Sequence, residues 1–203
     1  PKCGPESNSA VIGWDCGPAN TLIDLFIRQR TNGKVNCDRY GLLAQAGSPD
    51  LGIVEKWLEE SFFQQPPPKS TGREFFGEED LDRRLNEINR TSVEDILATL
   101  TIFSASAVAQ DLENLYHRYH IRPIELLVAG GGSKNCFFFD QIFDRCQGMR
   151  VFKTEDIGLP TQGREALAFA LLAWWHILKK NGSSPASTGI SKPAVLGVKV
   201  TAK

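Results

Sequence analysis

The chain has 203 residues, 41% of them hydrophobic and 23% charged, which is enough apolar material for a buried core and excludes disordered and fibrous classes. With 23 Lys and Arg against 24 Asp and Glu, a net charge of −1 and a pI near 6.4, it has no basic footprint for nucleic acid or an anionic membrane surface. The longest apolar run, Ala166–Leu178, is shorter than the ~20 residues of a membrane span and contains His176.

Residues 1–20 carry no basic-then-apolar export pattern, and the absence of an initiator Met points to a segment of a longer protein. Cys3, Cys16, Cys37, Cys136 and Cys146 form no CxxC pair and only three histidines accompany them, so no metal site is expected. The thiols read as reduced, in keeping with a cytoplasmic protein.

In chain order, Val11-Ile12-Gly13-Trp14 reads as a short buried strand, punctuated by Asp15-Cys16-Gly17-Pro18. Residues 19–30 have helical apolar spacing, with Pro18 suited to the first helical position. Residues 50–62 form a second helix, stopped by Pro66-Pro67-Pro68, and residues 64–77 a long loop. A charged helix over 78–89 precedes the longest pattern, 92–119, with one stripe from Val93 to Tyr119 and Thr91 or Ser92 as its cap. Residues 124–128 read as a strand, 129–135 as a tight turn, 137–146 as a helix and 150–153 as another strand. A strongly apolar helix follows over 161–179, in which Trp174 and Trp175 read as core packing, and residues 195–198 suit a last strand. Strands interleaved with helices argue for an α/β fold with a buried, mostly parallel sheet flanked by helices. Ligands in such folds bind at the carboxyl ends of strands, where Asp15 and the Gly130–Asn135 turn stand.

Three constellations could carry chemistry. Gly130, Gly131 and Gly132 let a backbone approach a planar or phosphorylated ligand, with Ser133 and Asn135 leading into a helix; they equally make a tight strand-to-helix turn. The turn fits neither GxGxxG nor the P-loop pattern. Asp15 can take a proton or hold a water, and equally cap the following helix, the reading its local sequence favours. Lys69-Ser70-Thr71-Gly72-Arg73-Glu74 offers cations and hydroxyls to a polar ligand, or pairs internally. His117 and His120 suit the negative end of the long helix better than a metal.

Together these stretches resemble the anhydro-N-acetylmuramic acid kinase family. Gly13-Trp14-Asp15-Cys16-Gly17-Pro18-Ala19-Asn20 is similar to its G-[FY]-D-T-G-P-G-N motif. Residues 67–74 match P-P-K-S-T-G-R-E, residues 128–135 resemble the glycine-rich adenosine motif, Glu165 to Ala170 match E-A-x-A-F-A, and Val195-Leu196-Gly197 the final strand. The resemblance implies a two-lobed actin/hexokinase/heat-shock ATPase architecture, of which residues 1–203 are similar to the carboxy-terminal lobe only. The amino-terminal phosphate-binding motif, G-T-S-x-D-G, has no match here.

For function, the resemblance implies an ATP-dependent kinase that opens a 1,6-anhydro sugar and phosphorylates O6, in the cytoplasm, as a homodimer, with Mg²⁺ on the phosphates. It implies that Asp15 is the general base and that Gly130, Gly131, Gly132, Ser133 and Asn135 hold the nucleotide. Gly17, Asn20, Lys69 and Arg73 stand in its substrate-side motifs. Cys16 and Ala19 depart from the family's Thr and Gly, and Ala19 is expected to stiffen the turn or require a negative φ there. Residues 159–164 lack the acidic residues usual before the late helix, a trait shared with the levoglucosan kinases. The alternative from another class is a catalytically inactive nucleotide-binding or dimerisation module. A dehydrogenase domain is a third reading, disfavoured by the missing GxGxxG.

Overall fold

Regular structure begins at Thr21 in the computed structural model, which describes residues 11–89, 92–160 and 163–200. Helix α1 (Thr21–Arg30) buries Leu22, Ile23, Phe26 and Ile27, the one-sided spacing seen in the sequence. Pro18 is not its first residue, as the sequence suggested. Its carbonyl accepts the Thr21 N–H at 2.9 Å, and Ala19, at φ +47°, turns the chain before the helix starts. The negative φ considered for Ala19 is therefore reversed: an alanine occupies a left-handed conformation that favours glycine.

Helix α2 (Leu42–Ala46) has no clear sequence signal. The Asp38 carboxylate creates it by accepting the Leu43 and Ala44 N–H groups at 3.1 and 2.9 Å. The helix expected over 50–62 is two pieces, α3 (Leu51–Leu58) and α4 (Ser61–Gln64), with Asp50 capping the first through the Ile53 N–H. Then come α5 (Glu78–Glu87) and α6 (Val93–Tyr119), where the Ser92 hydroxyl accepts the Asp95 N–H at 3.0 Å. Helices α1, α2, α3 and α4 all pack on α6. Its middle is consequently buried all round, including Ala98, Thr99, Thr101 and Ser104 outside the apolar stripe.

One feature of this core is invisible to hydropathy. Arg84 is fully buried, its guanidinium bonded to Glu60 Oε2 and Asp80 Oδ2, both at 2.8 Å. The same group lies 4.8 Å from the Trp57 ring centroid and 4.4 Å from that of Phe103. Two carboxylates and aromatic faces together replace the water a buried guanidinium gives up.

Strand β1 (Glu125–Val128), helix α7 (Cys136–Arg145) and strand β2 (Arg150–Lys153) make a right-sized strand–helix–strand unit, with α7 packed on α6. The strands pair in parallel, Leu126 opposite Val151 and Leu127 opposite Phe152. The architecture is thus α/β, mostly helical, but the sheet has only these two strands among the described residues. It is also half-exposed rather than buried. Leu126 and Val151 face Phe138, Ile142 and Cys146, while Leu127 is exposed.

Residues 11–14 and 195–198, both expected as strands, are irregular, because neither finds a ladder partner among the described residues. Helix α8 (Arg164–Ile177) forms where expected within the described residues, Thr161 and Gln162 of the predicted span lying outside them. Its packing differs from expectation: none of its residues is buried, and Trp174 is 60% exposed. A short α9 (Pro185–Thr188) follows.

The described residues divide into two units. One holds 11–15, 66–70 and 163–200; the other holds 16–65, 71–89 and 92–160 and contains every buried hydrophobic residue. No described helix is long and apolar enough to cross a membrane.

Candidate active site

Asp15 belongs to the first unit. Its backbone N–H donates to the Lys69 carbonyl at 2.9 Å, and its carboxylate accepts the Ser70 hydroxyl at 2.9 Å. The proline-stiffened loop thus grips both ends of an exposed acid. Asp15 does not occupy the cap position of α1, which is Asn20, five residues on. Lys69 is itself buried, so its main chain positions Asp15. No local pattern marks Ser70 as the partner of Asp15, because only the fold closes a separation of 55 residues.

The glycine turn belongs to the second unit. Gly130 holds φ +89° with extended ψ, a conformation for which only glycine is suited. Ser133 donates through its hydroxyl to the Gly130 carbonyl at 2.8 Å, and the Asn135 Oδ1 accepts the Phe138 N–H at 3.0 Å as cap of α7. These two side chains shape the turn, and the Gly130 and Gly132 carbonyls accept the Ser133 and Asn135 N–H groups within it at 3.1 and 3.0 Å. A Cβ on Gly131 would meet open space, whereas one on Gly132 would lie 2.7 Å from Asn20 Nδ2. Gly132 is therefore what lets the Asn20 amide reach the turn.

Asn20, Asp24, Cys37, Arg39, Tyr40, Gly131, Lys134 and Asn135 help enclose a cavity of about 340 Å³. Asn20 Oδ1 is buried there without a hydrogen-bond partner among the described residues, an acceptor left for a ligand or water. Burial pushes the Asp24 carboxyl up, and the Arg28 guanidinium only partly opposes this. The Cys37–Tyr40 wall carries no periodicity or motif in the sequence; the fold builds it by turning the chain through Tyr40 at φ +61° and Gly41 at φ +75°.

The remaining predicted residues are elsewhere. Gly17 packs where a Cβ would stand 3.3 Å from Phe63 and 3.4 Å from Ala107, a core position. Arg73 lines a separate, wider cavity of about 840 Å³ with Arg28, Glu74, Glu78 and Arg83. No three His, Cys, Asp or Glu side chains converge as a metal site among the described residues. His117 pairs with Glu113 at 3.2 Å, and His120 closes α6 in the left-handed conformation.

Comparison with known proteins bears on these same stretches. The family model described as anhydro-N-acetylmuramic acid kinase matches residues 5–202. This chain belongs to that family. It is 60% identical over 98% of its length to the anhydro-N-acetylmuramic acid kinase of Prochlorococcus marinus (strain MIT 9211), covering 53% of that protein. To the kinase of the same name from Synechococcus sp. (strain CC9902) it is 53% identical, again over 98% of this chain and 53% of the relative. The chain spans about half the length of the curated relatives it matches.

Proposed function

We propose that this chain supplies the general base and the nucleotide turn of an ATP-dependent kinase acting on 1,6-anhydro-N-acetylmuramic acid. The observation that carries the reading is the Asp15 carboxylate, exposed, away from the cap position and aimed by Ser70 and the Lys69 backbone. Asp15 takes a proton from water as the water oxygen bonds to the anomeric carbon. The anomeric bond to the bridging oxygen breaks, and that oxygen, now O6, attacks the γ-phosphorus of ATP, releasing ADP. A carboxylate suits this role because it accepts a proton without building up positive charge. Gly130–Gly132 receive the nucleoside, with Asn20 Oδ1 and Lys134 offering an acceptor and a cation beside them. Arg73 and Lys69 lie on the substrate-side loop.

Mg²⁺ accompanies ATP in phosphoryl transfer generally, where it neutralises developing charge on the phosphates. Among the described residues no three His, Cys, Asp or Glu side chains form a cage for it. We read residues 1–203 as one lobe of the actin/hexokinase/heat-shock ATPase architecture, supported by the parallel strand, glycine turn, helix and strand in series. Levoglucosan is the competing substrate, and ATP supply places the reaction in the cytoplasm.

The test is Asp15→Asn in a protein joining this chain to the part of the relatives' length it does not span. Turnover with the anhydro sugar falls ~10²–10⁴-fold while ATP affinity holds. A kcat within about twofold of the parent removes Asp15 from the role.

A further inference from the structure

We infer that a small cavity at the amino ends of β1 and β2 is an anion site, which takes a phosphate group on the guanidiniums of Arg122 and Arg145. It uses neither Asp15 nor the glycine turn, so it stands or falls separately from the function proposed above.

Arg122-Pro123 leads towards β1 and Gln147-Gly148-Met149 into β2, and the two strands run parallel. Both approaches therefore meet at one end of the strand–helix–strand unit, and the glycine turn lies at the other. The ten residues of α7 separate the two ends by about 15 Å. Glu113, Tyr116, Arg122, Arg145, Gly148 and Met149 help enclose the cavity, which measures about 160 Å³. All its lining residues belong to one unit of the chain. Sites for drug-sized ligands begin at roughly 300 Å³, so this one suits a compact group.

The two cations are held in place without being neutralised. Arg145 is half-buried; its Nε donates to Ser106 Oγ at 2.9 Å and its Nη1 to Gln141 Oε1 at 2.6 Å, both uncharged partners. The Arg122 guanidinium lies 4.3 Å from the centroid of the Tyr116 ring. Among the described residues neither group has a carboxylate within ion-pairing reach. Burial accordingly pulls the Arg145 pKa down, and the charge of neighbouring Asp144 opposes this only in part. Arg84 shows the other solution, a buried guanidinium closed off by Glu60 and Asp80. Arg145 lacks such partners and borders a cavity, so an entering oxyanion supplies what its surroundings do not.

Two features of the surroundings oppose an anion, and neither prevails. Glu113 stands in the wall, but it pairs with His117 at 3.2 Å. Helices α6 and α7 both end near here, and terminal carbonyls attract cations. A helix-end role alone leaves the Arg145 fork on those carbonyls. The fork instead crosses to Ser106 on α6, and the one carbonyl it meets, that of Gln141 at 3.3 Å, lies a turn before the helix end. Each terminus carries only about half a charge, against a full one on each guanidinium. A doubly negative phosphate matches two guanidiniums better than a carboxylate does.

The experiment titrates this chain with inorganic phosphate at constant ionic strength and reads hydrogen exchange over residues 141–149. It is repeated on the protein that joins the chain to the part of the relatives' length it does not span. Exchange there is expected to slow saturably. Arg145→Gln and Arg122→Gln each weaken the response about tenfold or more, whereas Lys34→Gln, which removes a charge elsewhere, leaves it unchanged. Arg122 is exposed, so its variant keeps the fold even where Arg145→Gln does not. Glucose 6-phosphate distinguishes the sources: tighter binding than inorganic phosphate identifies a phosphate ester, and equal or weaker binding the free ion. The inference is overturned by no saturable change at residues 141–149 in either protein, or by one indifferent to Arg122→Gln. Acetate acting there as tightly as phosphate also overturns it.

Discussion

Helices α6 and α8 make the instructive comparison. The second contains fewer polar residues, yet α6 is buried through its middle and α8 nowhere. Burial follows the supply of partners, not hydropathy. Helix α6 has α1, α2, α3, α4 and α7 against it, and can even enclose Thr99 and Ser104. The unit around α6 is a finished hydrophobic core; the unit around α8 exposes the apolar groups that would make one.

The contrast can be broken most forcefully from inside the finished core. Arg84→Met strands Glu60 and Asp80 without their buried partner, and we expect a loss of about 3–5 kcal/mol in urea unfolding. Trp57→Ala removes a ring packed edge-on to Phe103 at 5.1 Å and costs about 3–5 kcal/mol in the same assay. Its counterpart in the other unit, Trp174→Ala, changes the stability of the chain alone by under about 0.5 kcal/mol, since the ring is exposed. Equal losses at the two tryptophans would dissolve the distinction.

Between these extremes, Ala19→Gly relieves a left-handed alanine and raises stability by about 1 kcal/mol, read as a higher urea midpoint. The smallest effects sharpen the picture through pH. Burial pushes the Glu87 carboxyl up, but hydrogen bonds from Trp57, Lys56 and Arg83 outweigh it and hold its pKa below the ordinary value. A lowered folded pKa gives stability that is full above the unfolded value and is lost as pH falls through the folded one. Glu87→Gln therefore narrows the gap between neutral and acid stability. Asp24 has the opposite sign: its raised pKa costs stability at neutral pH, and the cost fades on acidification. Asp24→Asn is accordingly more stable at pH 7, by a margin that shrinks in acid.

Local chemistry made much of the finished core legible. Asp50 and Ser92 cap the helices they precede, and Leu22, Ile23, Phe26 and Ile27 announce the buried side of α1. The glycine run after β1 announced the turn. What escaped depends on distance along the chain. Ser70 meets Asp15 only after folding, Arg84 is buried because Glu60 comes to it, and Asp38 starts α2 with a bent segment that has no periodicity. The expected strands over 11–14 and 195–198 failed for the same reason in reverse: a short apolar run proposes a strand, but a neighbouring strand must exist to accept it. Of the candidate residues, the sequence named Asp15 in one unit and Asn20 and the glycines in the other, while the Cys37–Tyr40 wall of the cavity beside the glycine turn appeared only in three dimensions.

The greasy surface of α8 carries a cost wherever it stays uncovered. A molecule with that helix uncovered is a chaperone client and a protease substrate for as long as it stays so. Resistance of Phe169 and Trp174 to proteolytic attack therefore reports whether that helix is shielded.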